Sequence, residues 1–251
     1  MEVKDKVASF IEVTNEEEAR LNLTALYRLL AHFGMDDTIY THASARVPGE
    51  NAFLINPFGY MFDEITPDSL VKMPIRDLED IGGANAAGYV IHSAILAARP
   101  DVNCVVHTHT RAGVALSCLE DGLLPINQFA IEFAGRMGYH DYEGVAFNLD
   151  EGPRLDADIQ GKLGLVLRNH GLLTVGQTIP AAFYLMYYLE QTCRVQMDVL
   201  ATGRPFVTPS AELIAQTERQ YTSSFDPPRA GHRMWPAMLR LLDRASPGWR
   251  G

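Results

Sequence analysis

Two short apolar runs, residues 163–167 and 172–175, stand on either side of a four-residue polar insert, Arg168-Asn169-His170-Gly171. Each run has the length of a buried strand. A fold that holds an arginine, an asparagine and a histidine between two such strands must give those groups partners, because a buried polar group left unpaired costs about 1–3 kcal/mol. The rest of the chain supplies helices to cover the strands. Asn15 is placed to cap a helix with Glu18 closing a capping box, Leu23, Leu26, Tyr27, Leu30 and Phe33 follow at helical spacing, and Gly34 provides the stop. Between residues 40 and 57 the pattern changes to short β segments punctuated by Pro and Gly. Asn85 caps a second helix running to Ala98, ahead of Pro100. On it Gly88 and His92, four apart, share a face.

Residues 101–109 read as a valine-rich strand, and residues 112–119 as a short helix ended by Gly122. Pro180 suits the first turn of a long helix over residues 181–200, and weaker helical segments follow near residues 211–221 and 234–242. The expected fold is α/β. One domain spans residues 1–203, a polar stretch around Gly203, Pro205 and Pro209 forms a hinge, and residues 204–251 make a helical extension serving as a lid or intersubunit brace.

A chain of 251 residues, 47% apolar and 21% charged, can bury a large core without staples. Its 21 basic and 31 acidic residues leave a formal charge of −10, which opposes attraction to phosphate backbones or anionic lipid. Neither nucleic acid nor membrane is an expected partner. Residues 1–10 lack the apolar core of a signal peptide, and nowhere do 18 uncharged apolar residues follow one another. Cys104, Cys118 and Cys193 are odd in number and far apart, with no CxxC, so they are expected to be reduced, buried thiols in a cytoplasmic protein.

His107-Thr108-His109 carries the strongest chemical signal. On a strand the period of two sends both imidazoles to one face and Val106 and Thr108 to the other. That is the spacing of two metal ligands, and His170, 61 residues further on in the polar insert, is the candidate for a third. Gly171 beside it allows a tight backbone turn. The alternative is a set of core histidines satisfied by backbone carbonyls. Three neutral imidazoles with an open position would make a catalytic rather than a structural metal site.

These residues carry a resemblance. His107-Thr108-His109-Thr110, Ala97-Ala98-Arg99-Pro100-Asp101-Val102 and Leu167-Arg168-Asn169-His170-Gly171-Leu172 resemble the class II aldolase/adducin superfamily over residues 15–203. Tyr139-His140-Asp141-Tyr142-Glu143-Gly144 and Gly122-Leu123-Leu124-Pro125-Ile126 are similar to its adducin-like branch. The resemblance implies an α/β/α sandwich with a mainly antiparallel sheet and a divalent metal on His107, His109 and His170. It also implies a homotetramer with sites at the subunit interfaces. Zinc is the expected ion, with manganese and Fe(II) as alternatives. The sugar-phosphate aldolases carry Ser-Ser-Glu, two phosphate contacts and an acid/base, where this chain has Ala86, Ala87 and Gly88. Their Gly-Asn phosphate contact corresponds to Thr41 and His42, ahead of Ser44, Ala45 and Arg46. A phosphorylated sugar is therefore a poor substrate, since a buried dianion without donors is costly.

Proton handling must come from elsewhere. His92, one turn after Gly88, is a candidate ligand, substrate contact or base, the alternative being a helix histidine tied to a carbonyl. Glu132 falls where dehydratases resembling this chain keep an acid/base glutamate, the alternative being a solvated surface carboxylate. Tyr139, His140 and Tyr142 are candidates for the pocket mouth. The expected function is a metal-dependent carbon–carbon lyase, of decarboxylase or aldolase type, acting on a small, non-phosphorylated carboxylated substrate through an enolate-like intermediate. Two alternatives stay open. One is a non-haem Fe(II) oxygenase that oxidatively decarboxylates an aryl 2-oxo acid. The other is a non-catalytic adducin-like scaffold, against which stands the lack of a lysine cluster near Gly251.

Overall fold

The computed structural model describes residues 13–76, 83–145, 149–224 and 227–251, so the reading of residues 1–10 falls outside the described residues. Seven strands form one sheet: β1 (His42–Arg46), β2 (Ala52–Ile55), β3 (Val71–Pro74), β4 (Cys104–Thr108), β5 (Met137–His140), β6 (Gly164–Leu167) and β7 (Gly171–Gly176). Their order is β3-β2-β1-β4-β7-β6-β5, antiparallel throughout except for the parallel β5–β6 pair. The expected mainly antiparallel sheet is present. The two apolar runs around the polar insert are β6 and β7, paired from Gly164 opposite Thr174 to Leu167 opposite Gly171.

Alternation along the strands builds two cores. Ala43, Ala45, Leu54, Val106, Val166 and Leu172 face α1 (Glu16–His32), α6 (Ile179–Ala201) and α8 (Pro227–Ala245). Phe53, Ile55, Val105, Leu165, Leu173 and Val175 face α2 (Ala86–Ala98) and α5 (Gly152–Asp158). Helices on both faces make an α/β/α sandwich. Shorter helices, α3 (Arg111–Ser117) and α4 (Gln128–Phe133), link the strands, and α7 (Ala211–Ser224) precedes α8. The C-terminal α8 contributes Trp235, Leu239 and Leu242 to the α1/α6 core, and Trp235 Nε1 donates to Asn22 Oδ1 of α1 at 2.9 Å. Among the described residues no helix is long and apolar enough to cross a membrane.

Four local expectations need correction. Asn15 Oδ1 caps α1 by accepting from Glu18 N at 2.9 Å, but Glu18 Oε2 closes back on the Thr14 amide and hydroxyl, both at 2.8 Å, rather than on Asn15. Cys118 is exposed, while Cys104 and Cys193 are buried, because α3 ends at Ser117 and turns its next residue outward. The tight turn between β6 and β7 is taken by Asn169 at φ +56°, not by Gly171. Gly171 is needed for a close approach, since a Cβ there would lie 2.5 Å from Thr108 O of β4. Lastly, β4 ends at Thr108, one residue before His109.

Candidate metal centre

Strand β4 carries His107 on the α2 side of the sheet, His109 follows at its end, and the β6–β7 turn brings His170 over both. His107 Nε2 is 2.8 Å from His109 Nε2, which is 2.9 Å from His170 Nε2. The three expected ligands therefore converge, with ligand atoms all within 4.8 Å of one another. His107 is buried, and the other two are half-buried, which leaves one side of the cluster open to a ligand.

The outward nitrogens have fixed partners. His107 Nδ1 donates to Leu172 O at 2.9 Å, and His109 Nδ1 donates to Asp37 Oδ2 at 3.0 Å. A ring whose Nδ1–H is engaged presents an Nε2 lone pair, the form a metal takes up, and such partners raise the ligand's basicity. Burial favours the neutral form of His107 and His170. His107 is pushed well below the ordinary imidazole value by desolvation, then by His42, His170 and His109. His170 is lowered to about 4 by desolvation, then by His109 and His140. Three converging imidazoles, two of them oriented from behind, fit a divalent cation, and His107, His109 and His170 would hold it.

Behind the triad lies a group that sequence reasoning missed. His42 of β1 is paired in register with His107 of β4, and their ring centroids are 5.0 Å apart. His42 Nδ1 meets His92 Nε2 at 2.8 Å, and His92 Nδ1 meets Ser44 Oγ at 2.5 Å. Among the described residues His92 therefore hydrogen-bonds neither a carbonyl nor the triad, but supports the residue next to the triad. Burial lowers His92 to about 3, and burial followed by His92, His109 and His170 lowers His42 well below its ordinary value. Gly88 makes room for the His42 ring, since a Cβ there would sit 2.8 Å from His42 Cδ2. A β segment at residue 42 was legible, but not its pairing with residue 107. Asp37, also missed, lies in a loop with no local signal.

The remaining candidates have other partners. Glu132 is buried, not solvated as its alternative reading had it, and is pushed up to about 7, chiefly by desolvation. Its Oε2 accepts from Tyr184 at 2.9 Å, its Oε1 has no partner among the described residues, and no described contact joins it to the triad. Tyr184 also lines a cavity of about 750 Å³ with Phe129, Tyr188, Tyr221 and Met234, which holds no member of the triad. Tyr139 accepts from the Leu123 amide at 3.0 Å and lies under the Arg168 guanidinium, 4.4 Å from its centroid. Tyr142 is exposed. His140 is buried between Asp158 Oδ2 at 2.8 Å and Glu151 Oε1 at 3.1 Å, and lines a small cleft together with His170, Tyr142 and Arg168.

An α/β/α sandwich with three converging imidazoles at the rim of an antiparallel sheet defines a class II aldolase-like protein. The chain belongs to the family of class II aldolase and adducin N-terminal domains, whose model matches residues 22–197. It is 44% identical over 245 residues to a Pseudomonas aeruginosa protein named for aldolase class 2, covering 94% of this chain and 93% of that one. It is 39% identical to rat alpha-adducin over 91% of this chain but 33% of the adducin. Among solved structures, an aldolase II superfamily protein from Pseudomonas syringae superposes with a TM-score of 0.88 at 45% identity, covering 100% of both chains. An L-fuculose 1-phosphate aldolase from Glaciozyma antarctica superposes at 0.82 and 26% identity, covering 97% of this chain and 99% of that one.

Proposed function

We propose that this chain is a metal-dependent carbon–carbon lyase that decarboxylates, or cleaves in aldolase fashion, a small non-phosphorylated carboxylated substrate through an enolate-like intermediate. The observation that carries this reading is the convergence of the His107, His109 and His170 Nε2 atoms with Asp37 and Leu172 fixed behind them. A divalent ion held there, zinc foremost and manganese or Fe(II) as alternatives, supplies Lewis acidity to the oxygens of a chelating acid and stabilises an enolate. The α2 start supports a substrate without phosphate. Ala86, Ala87 and Gly88 offer no hydroxyl, and the Ala87 and Gly88 amides already donate to Asn85 Oδ1 at 3.0 and 3.3 Å.

In decarboxylation the bond to the carboxylate breaks, its electron pair stays on the remaining fragment as the enolate, CO₂ leaves, and a proton is then returned to carbon. His140, which shares a cleft with His170, is assigned that delivery. Residues 204–251 act as a brace on the 1–203 domain, a reading supported by Trp235 and Leu242 in the α1/α6 core. A homotetramer in the cytoplasm is the expected state.

Elemental mass spectrometry of tag-free protein purified anaerobically, beside the His109→Ala variant, tests the reading. Near-stoichiometric zinc or manganese, lost with turnover in the variant, is the expected result. Undiminished turnover in the variant would sink it. Stoichiometric Fe(II) with substrate-coupled oxygen consumption would favour the oxygenase. Absence of bound metal would favour the scaffold reading, which the likeness to alpha-adducin keeps in view.

A further inference from the structure

Ser44, His92 and His42 form a line of three buried side chains that ends beside the triad. Ser44 Oγ lies 2.5 Å from His92 Nδ1, and His92 Nε2 lies 2.8 Å from His42 Nδ1. With neutral rings each link holds one proton, so the line has two arrangements. In the first, Ser44 O–H donates to His92 Nδ1, His92 Nε2–H donates to His42 Nδ1, and His42 carries its proton on Nε2. In the second, every donor becomes an acceptor. His42 Nδ1–H then donates to His92, His92 Nδ1–H donates to Ser44, and the Ser44 hydroxyl proton needs another acceptor.

Ser44 Oγ has no second partner among the described residues. The second arrangement thus strands a hydroxyl proton in a fully buried position, which disfavours it by an order of tenfold or more. The first also leaves one donor without a partner, His42 Nε2–H, but that nitrogen is not among the fully buried unpaired atoms, so it keeps an opening that the Ser44 hydroxyl lacks. That ring is 2% exposed, and its Nε2 has no partner among the described residues. Among the described residues the groups against it are the His107 ring, the His92 ring and Gly88, with His109 and His170 near enough to act on its charge, none of them anionic.

We infer that His42 is a substrate-binding residue that presents a fixed, neutral Nε2–H donor to an anionic oxygen, carboxylate or enolate, of a ligand bound at the triad. A buried donor is repaid best by an ionised acceptor. Ser44 and His92 act as positioning residues by fixing the tautomer, so no reorganisation is needed when the ligand arrives. The role toward substrate rests on the lyase reading above, whereas the placement of the proton does not.

Long-range proton–nitrogen NMR of metal-free, ¹⁵N-histidine-labelled protein at pH 7.5 reads the tautomers directly. His42 and His92 are both expected as Nε2–H forms, and an Nδ1–H form of either overturns the assignment. Ser44→Ala removes the donor that sets the direction, and is expected to give a mixture of His42 tautomers. An unaltered single tautomer in that variant also overturns it. With metal loaded, calorimetry with oxalate should show binding weakened about tenfold in His42→Phe at unchanged metal content. Unchanged oxalate affinity, or loss of the metal, refutes a substrate contact. Failure of the wild type to bind oxalate would remove the lyase reading and the ligand assignment together, while the tautomers still decide the donor.

Discussion

Glu132 offers a measurable consequence of burial. Its carboxyl is pushed from the ordinary 4.5 up to about 7, mainly by desolvation and against the opposing Tyr184 hydrogen bond. Between those values the folded chain keeps a proton that the unfolded chain has released. Stability is therefore fully present below pH 4.5 and is lost as pH rises to about 7, by about 3 kcal/mol in all at about 1.4 kcal/mol per pH unit. About 2 kcal/mol of this has been lost by pH 6 and the remaining 1 or so by pH 8.5. Glu132→Gln keeps the shape and an acceptor for Tyr184 but cannot ionise.

The expected result is that the variant gains about 1 kcal/mol on the wild type between pH 6 and pH 8.5. Buried histidines act in the opposite sense. His42, His92, His107 and His170 are all lowered, so the stability linked to them is present above pH 6.5 and is lost as pH falls. That loss is common to both proteins and cancels in the difference. Urea unfolding of the metal-free proteins, followed by far-ultraviolet circular dichroism at three pH values, reads it. A difference constant across the range would refute the claim that the carboxyl is protonated in the fold. Because Glu132 touches Tyr184 and no member of the triad, turnover of the same variant is expected to stay within about tenfold, against the 10²-fold or larger loss of a removed acid/base group.

Asp37→Asn is expected to weaken metal binding about 10- to 100-fold while leaving the fold intact, as the side chain is 41% exposed; competition with a chromophoric chelator measures it. Gly171→Ala should cost about 1–3 kcal/mol, because its Cβ would meet Thr108 O at 2.5 Å, and an unchanged unfolding midpoint would contradict the close packing of β7 on β4. Metal added at a hundredfold excess over its dissociation constant should stabilise the chelator-treated protein by about 2.7 kcal/mol, and His109→Ala should abolish the response in a thermal scan.

What could be read from residues alone was local. The alternation of His107-Thr108-His109 needs only a strand, and the caps at Asn15 and Asn85 need only one helical turn each. The sheet register is different in kind. His42 faces His107 because β1 pairs with β4 across 65 residues of chain, and no local pattern encodes that partner. The same holds for α4 and α5, which at six and seven residues are too short to show a helical period. For Glu132 that left a solvated surface carboxylate open beside the acid/base reading, since its burial depends on α6 bringing Tyr184 against it. Gly171 was legible as special, but the cause is a neighbouring strand rather than its own turn.

Positions 42 and 88 constrain each other. The His42 ring occupies the volume a side chain at 88 would need, with Cδ2, Cγ and Nε2 at 2.8, 3.0 and 3.3 Å from a modest Cβ. The sugar-phosphate aldolases, on the resemblance drawn above, place a glutamate at 88, so a chain of this family can keep that carboxylate or this imidazole in its present place, but not both. The exchange alters charge as well as shape. A carboxylate beside the metal repels a second anion, whereas a neutral N–H held by His92 and Ser44 attracts one without adding a fixed charge. On the function proposed above, substitution at these two sites would turn the same three-histidine centre toward anionic oxygens, while Asn85 Oδ1 keeps the Ala87 and Gly88 amides engaged.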